Sequence, residues 1–219
     1  MGNEPSSFFR RNGLSLVLLG LFGVFLSGQV WSGFLVHNAE LLDAGAAPES
    51  LRRYLASGHF LSATFENWES EFLQMGMYVL LTVGLRQQGS AESRPLDPGE
   101  ERERVEAGTR PWPLRRGGIC KVLYANSLSL AYALLFLLSF AGHACGSWLH
   151  ENEQRVMQGQ AAISLFEHLC SARFWFESMQ NWQSEFLAVL SIVVLSIWLR
   201  QDKSPQSKPL QAPASQTGT

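Results

Sequence analysis

The chain has 219 residues, 46% of them hydrophobic, and a formal net charge of −2. That near-neutral balance, with no run of basic residues interleaved with aromatics, argues against a nucleic-acid partner. The apolar residues gather in four stretches and the charged ones lie between them, which is the pattern of membrane spans and not of a soluble helical bundle.

Residues 1–11 carry Arg10 and Arg11 and read as a cytoplasmic N-terminus. From Leu14 to Val36 there is no Lys, Arg, Asp or Glu, a stretch longer than the roughly 20 apolar residues that cross a bilayer core. It also exceeds a signal-peptide core of about 7–15 residues, so it is expected to be a retained anchor. The first outer loop has helical character from Leu51 to Glu66. The next uncharged stretch, Phe72 to Leu85, covers about 21 Å at about 1.5 Å per residue, short of about 30 Å of hydrocarbon. Either this helix is mismatched to the bilayer, or it extends outward through Trp68 and takes Glu71 into the membrane.

Residues 97–125 read as a polar cytoplasmic linker, mobile where Glu, Arg, Pro and Gly crowd together. A third apolar stretch, Val122 to Leu149, is again free of charge. A second outer loop comes next, helical from Leu165 to Gln180. The fourth stretch, Phe186 to Leu199, is as short as the second, and extending it through Trp182 brings in Glu185. Residues 211–219 are expected to be a disordered tail.

A shift of 114 positions aligns residues 12–96 with 126–210 without a gap, and about 31 of the 85 pairs are identical. Polar positions match as well as apolar ones: Asn12 with Asn126, Asn38 with Asn152, Asn67 with Asn181. The densest match is Asn67-Trp68-Glu69-Ser70-Glu71-Phe72-Leu73 against Asn181-Trp182-Gln183-Ser184-Glu185-Phe186-Leu187. The fold expected is an all-α integral membrane protein. Its four transmembrane helices form two parallel tandem helix–loop–helix repeats, with short interfacial helices in the outer loops. Of the Lys and Arg residues, all but Arg52, Arg53, Arg155 and Arg173 lie on the side of the termini and linker, which predicts both termini in the cytoplasm.

These residues resemble a family of uncharacterised bacterial membrane proteins grouped as a domain of unknown function. The resemblance rests on Asn-x-Leu-Ser-Leu at Asn12 and Asn126, on Gly58-His59-Phe60 followed by Glu66 to Leu73, and on Arg173-Phe174-Trp175-Phe176-Glu177. It implies a multi-pass protein of the bacterial inner membrane and no particular activity.

An ionisable group inside a membrane is costly and points to function. Depth arithmetic sets Glu71 level with Gln29 and Glu185 level with His143, so the candidate intramembrane site pairs Glu185 with His143 and Glu71 with Gln29. The plainer alternative is that Asn67 and Asn181 cap the second helices and the glutamates occupy first turns, favoured by the helix dipole. Below Glu71 lie Met75, Tyr78 and Thr82, and below Glu185 lie Val189, Ile192 and Ser196, a series too apolar for a hydrated pore. Gly142 and Gly146, matched by Gly28 and Ser32, suit close helix packing within the bundle in preference to a dimer seam.

Aromatic residues at the outer boundary fit an interfacial belt better than a quinone site. The basic cytoplasmic rim suits anionic lipid head groups. Cys120, Cys145 and Cys170 show no CxxC spacing, and only His143 lies deep in a span, so no metal, haem or other cofactor is expected. The first functional reading is a non-enzymatic structural or envelope-associated protein with a protein partner at the outer loops. The second is a small transporter or proton-coupled carrier acting as a homodimer through Glu71 and Glu185. A lipid- or quinone-directed enzyme ranks third, since the spacing of His59, Glu66, Glu69 and His168 is not specific.

Overall fold

In the computed structural model, which describes residues 8–100 and 105–218 apart from the Glu100 side chain, the chain is helical and contains no strand among the described residues. The long helices are α1 (Phe8–Asp43), α3 (Gly58–Gly84), α6 (Ser127–Met157) and α8 (Ala172–Leu195). Short helices precede three of them: α2 (Leu51–Tyr54), α4 (Trp112–Arg116), α5 (Gly118–Ala125) and α7 (Leu165–Leu169). Pro98–Glu100 forms a single 3-10 turn. By length and composition, α1 and α6 are long and apolar enough to cross a membrane.

The helix boundaries correct several expectations. The outer-loop helices expected from Leu51 to Glu66 and from Leu165 to Gln180 each break after four or five residues, and the residues beyond each break are continuous with the second long helix. The long helices therefore start at Gly58 and Ala172, so α3 has 27 residues and α8 has 24. Asn67 and Asn181 lie well inside them and cap nothing. The capping is done earlier, by Ser57 and Ser171, whose hydroxyls each accept from the backbone N–H three residues on at 3.2 Å. In the linker, residues 118–125 are helical.

Two compact units divide the described residues, and each holds parts of both halves of the chain. The first joins residues up to Ala63 with Cys145–Ile163. Here α1 and α6 end in the same way: Gly45 and Gly159, at φ of 74° and 70°, take the left-handed conformation. The amides of Ala46 and Gln160 then reach back to the carbonyls of Leu41 and Arg155, closing each helix in a Schellman turn. Asn38 brackets Glu49, donating to its carbonyl and accepting from its amide. Asn152 does the same to Ile163, each residue 114 positions further on. Tyr54 fills the centre, 1% exposed, against Phe34, His37, His59 and Phe60. Gly33 leaves room for its hydroxyl. A Cβ on Gly146 would lie 2.5 Å from the Ser62 amide nitrogen, so the start of α3 runs directly on the α6 backbone.

The second unit comprises Thr64–Ala144 with the described residues from Ser164 on. Phe174, fully buried, is its aromatic centre, stacked on His143 with ring centroids 4.9 Å apart and edged by Phe140, His168 and Trp175. Gly142 meets the Phe65 ring, with a Cβ there 2.5 Å from Cγ. Gly28 on α1, expected to pack likewise, has nothing within 4 Å. At the ends of α3 and α8, Arg86 and Arg200 each fold back to donate to the carbonyls one, three and four residues earlier. The tail is not disordered through residue 218. Lys208, 1% exposed, donates to the carbonyls of Gly89, Ala214 and Gln216, and the Gly218 amide donates to Ser90.

The distribution of polarity is the reverse of a soluble protein's. Among the described residues, five buried side chains are apolar and fourteen are polar or charged, while leucines, valines and phenylalanines cover the outside of α1 and of α6 before the loop. In water, buried positions are dominated by apolar residues, and large exposed apolar surface marks an interaction with a partner or a membrane.

Candidate functional site

Glu66 and Glu69 are three residues apart on α3, so helical geometry sets them on neighbouring turns of one face. Glu69 is fully buried, and its two carboxylate oxygens have separate partners. His143 Nδ1, on α6 and equally buried, lies 2.7 Å from Oε2. Trp182 Nε1, on α8, donates to Oε1 at 2.8 Å. One turn earlier, Asn181 of α8 donates to Glu66 Oε1 and to the Glu177 carbonyl. The three helices are thus joined through α3 by hydrogen bonds to charge-bearing groups, the stronger kind.

Such a pair can exist buried because each group satisfies the other. An unpaired charge costs several kcal/mol on transfer out of water, and a carboxylate next to an imidazole recovers part of that through attraction and hydrogen bonding. The Phe174 ring against His143 fixes the plane of the imidazole. Its Nε2 is buried without a hydrogen-bond partner among the described protein atoms. The pair therefore sets a carboxylate against an imidazole at hydrogen-bond distance, with both side chains fully buried.

Of the residues expected at the site, His143 meets Glu69 and not Glu185. Glu185 lies instead near Glu71 on α3, close enough for the two carboxyl groups to influence each other. Asn181 belongs to the site as a donor. Asn67 lies on α3 one turn before Ser70, whose hydroxyl donates to the Asn67 carbonyl at 2.9 Å. Gln29 lies on α1, in the other compact unit.

Sequence reasoning missed Glu69 and Trp182 as partners, and it missed Gln74. Gln74 is 7% exposed, and with Ser70, Glu71, Tyr78 and Thr82 it falls within about 120° of the α3 circumference at about 100° per residue. This polar file ends at a cavity of about 370 Å³, where Tyr78, Thr82, Arg86 and Glu92 face Phe186 and Leu190. The Tyr78 hydroxyl donates to Glu92 there at 2.9 Å. The signal was available, since Gln74 completes the helical spacing from Glu71 to Tyr78, but the i+4 series taken from Glu71 passed through Met75 instead.

Among the described residues, no group of three or more His, Cys, Asp or Glu side chains is arranged to hold a metal ion. The three cysteines are free thiols. No curated protein and no solved structure is similar to the chain. The chain does belong to one protein family, that of the domain of unknown function DUF6766, whose model matches residues 5–219.

Proposed function

We propose that the chain is a multi-pass protein of the bacterial inner membrane, with α1, α3, α6 and α8 as its four spans and both termini in the cytoplasm, and that it is a proton-coupled carrier without enzymatic activity. At about 1.5 Å per residue, the 27 residues of α3 and 24 of α8 rise about 40 and 36 Å, more than about 30 Å of hydrocarbon. The apolar exterior and polar interior support the membrane assignment. The paired loop bonds, at Asn38 and Asn152 and at Arg86 and Arg200, support two tandem repeats.

One observation carries the functional reading: Glu69 and His143, both fully buried, meet at 2.7 Å inside helices assigned to the membrane. Ionisable groups there mark proton relays and substrate paths. The Glu71–Glu185 pair and the polar face of α3 extend the same chemistry toward the cytoplasmic end. A homodimer would supply eight spans.

The test is proton flux in proteoliposomes under an imposed pH gradient. The intact chain is compared with Glu69→Gln and with the double variant Glu71→Gln, Glu185→Gln, at matched reconstitution. Flux by the intact chain that falls at least tenfold in Glu69→Gln is the expected result. Flux no greater than that of empty liposomes, or unchanged in both variants, refutes the carrier reading.

A second reading has its own support. Each bond to Glu66 and Glu69 from another helix ties α3 to α6 or α8, which is also how a structural or envelope-associated protein would lock its bundle. In that case there is no flux to lose in any of the variants.

A further inference from the structure

The first compact unit contains a cavity that the carrier reading does not use. Its volume is about 480 Å³, and it lies between the last turns of α1 and α6, within the size range of small-molecule sites. From α1 it is lined by His37, Glu40 and Leu41, and from α6 by His150, Glu153 and Met157. These residues keep the spacing of single helical faces, so two helices present one face each to the same space.

Three features make it a place for positive charge. The lining has two carboxylates, Glu40 and Glu153, and no Lys or Arg. Both helices end beside it, α1 at Asp43 and α6 at Met157, so the negative ends of two helix dipoles point the same way. Third, and independently of the acidic residues, His37 is 2% exposed and neither of its ring nitrogens has a hydrogen-bond partner among the described residues. The nearest carboxylate, Glu49, is 3.7 Å from Nε2, beyond hydrogen-bond range. A buried polar group without a partner calls for explanation; the His37 ring borders the cavity, and a neutral imidazole nitrogen is an acceptor for an N–H donor that reaches it.

A metal ion does not fit this geometry, because the donors are not gathered as a ligand set and the volume is many times that of an ion. Leu41, Ala44 and Met157 add apolar wall, suited to a short hydrocarbon chain. We propose that this cavity binds a small aliphatic ammonium ion of the primary amine type. Glu40 and Glu153 balance its charge, His37 accepts one of its N–H bonds, and its chain lies against Leu41 and Met157. The site stands whether or not the α3 face moves protons.

The test is isothermal titration of the full-length protein in detergent with 1,4-diaminobutane, and with 1,4-butanediol as an uncharged probe of the same shape. Saturable binding of the diamine with none of the diol is expected. His37→Phe, which keeps an aromatic ring against Tyr54 and His59, and Glu153→Gln should each weaken it at least tenfold. Glu153→Gln lies at the helix surface and keeps the test decisive if His37→Phe does not fold. No saturable diamine binding, equal binding of diamine and diol, or binding unaffected by Glu153→Gln overturns the proposal. One-to-one binding of zinc ion that His37→Phe abolishes, with none of the diamine, also overturns it.

Discussion

Replacing Glu69 with alanine should reveal what the buried pair contributes, because this one side chain satisfies two neighbours. Glu69→Ala leaves Trp182 Nε1 and His143 Nδ1 without the bonds they make at 2.8 and 2.7 Å. A buried donor stripped of its partner costs about 1–3 kcal/mol, so the two together predict a loss of about 2–6 kcal/mol. For a chain of this length, about 2–4 °C of melting temperature accompanies each kcal/mol, which gives a fall of about 4–24 °C. Glu69→Gln should lose far less, since its amide oxygen still accepts from Trp182 and its amide nitrogen can donate to a neutral His143. His143→Ala removes one partner of a buried pair and should cost about 3–5 kcal/mol. The double variant should then be more stable than the sum of the singles implies, by a coupling of about 0.5–3 kcal/mol. Thermal unfolding in detergent, followed by tryptophan fluorescence, reads all four variants. Additive losses, or a Glu69→Ala protein that melts with the native one, would refute the pairing.

Glycine substitutions should separate packed positions from open ones. Gly146→Ala drives a Cβ to 2.5 Å from the Ser62 backbone nitrogen, where no side chain can rotate away, and should cost about 1–3 kcal/mol as overpacking does. Gly28→Ala meets nothing within 4 Å and should be neutral or stabilising by up to about 1 kcal/mol through helix propensity; the same melting assay checks both. Lys208→Met removes the ammonium that gathers the carbonyls of Gly89, Ala214 and Gln216. Residues 211–218 should then become sensitive to carboxypeptidase under conditions where the native tail resists, as mass spectrometry would show. His59 stands in the first turn of α3, ahead of the apolar part of the span. Burial and the nearby His37 push its pKa down, against an opposing effect of Glu40. The folded value lies below the unfolded value of about 6.5, so its stabilising contribution is full above about pH 6.5 and is lost as pH falls toward the folded pKa. His59→Gln should flatten that acid-side decline in melting temperature, and an unchanged slope would contradict it.

The helical character of the chain was legible because two charge-free stretches are long enough to leave few alternatives, and most of each of the four apolar stretches is helical, although α8 stops at Leu195, before the fourth stretch ends at Leu199. Their ends were not legible from hydropathy. Gly45 and Gly159 terminate α1 and α6 through backbone conformation, several residues beyond the last apolar run, and polar residues continue the helix in between. The second helices start at Gly58 and Ala172 because Ser57 and Ser171 cap them. An Asn-Trp motif inside a helix looks the same in sequence as one at its start. The tail was misjudged for a related reason: its composition is that of a disordered segment, and what orders it is a single lysine reaching four carbonyls that sequence spacing does not reveal. At the site, equal depth paired His143 with Glu185, whereas its partner is Glu69 of α3. It could not choose among Glu66, Glu69 and Glu71, which span less than two turns and differ in azimuth.

Symmetry misled the choice of carboxylate, and the reason is informative. Glu71 and Glu185 drew notice because the 114-residue shift matches them, whereas it sets Glu69 against Gln183 and His143 against Gln29. The donors obey the opposite rule: Trp182 and Asn181, which bond to Glu69 and Glu66, correspond to Trp68 and Asn67 without change. The ionisable residues of the network therefore differ between the halves while its neutral donors are shared. The polar face of α3 is just as one-sided, since Gln74 and Tyr78 correspond to Ala188 and Ile192. A buried carboxylate–imidazole pair must offset the desolvation of two groups, and a glutamine at each position meets the same hydrogen-bonding geometry without that cost. If the network served only to lock helices, glutamines would suffice in both halves, so the ionisable pair in one half is the feature that stability alone does not require. That contrast sets the comparison that separates the two readings: Glu69→Gln combined with His143→Gln imports the residues of the other half. A carrier so altered should keep its fold and lose its flux, whereas a purely structural protein should keep both its fold and its cellular role.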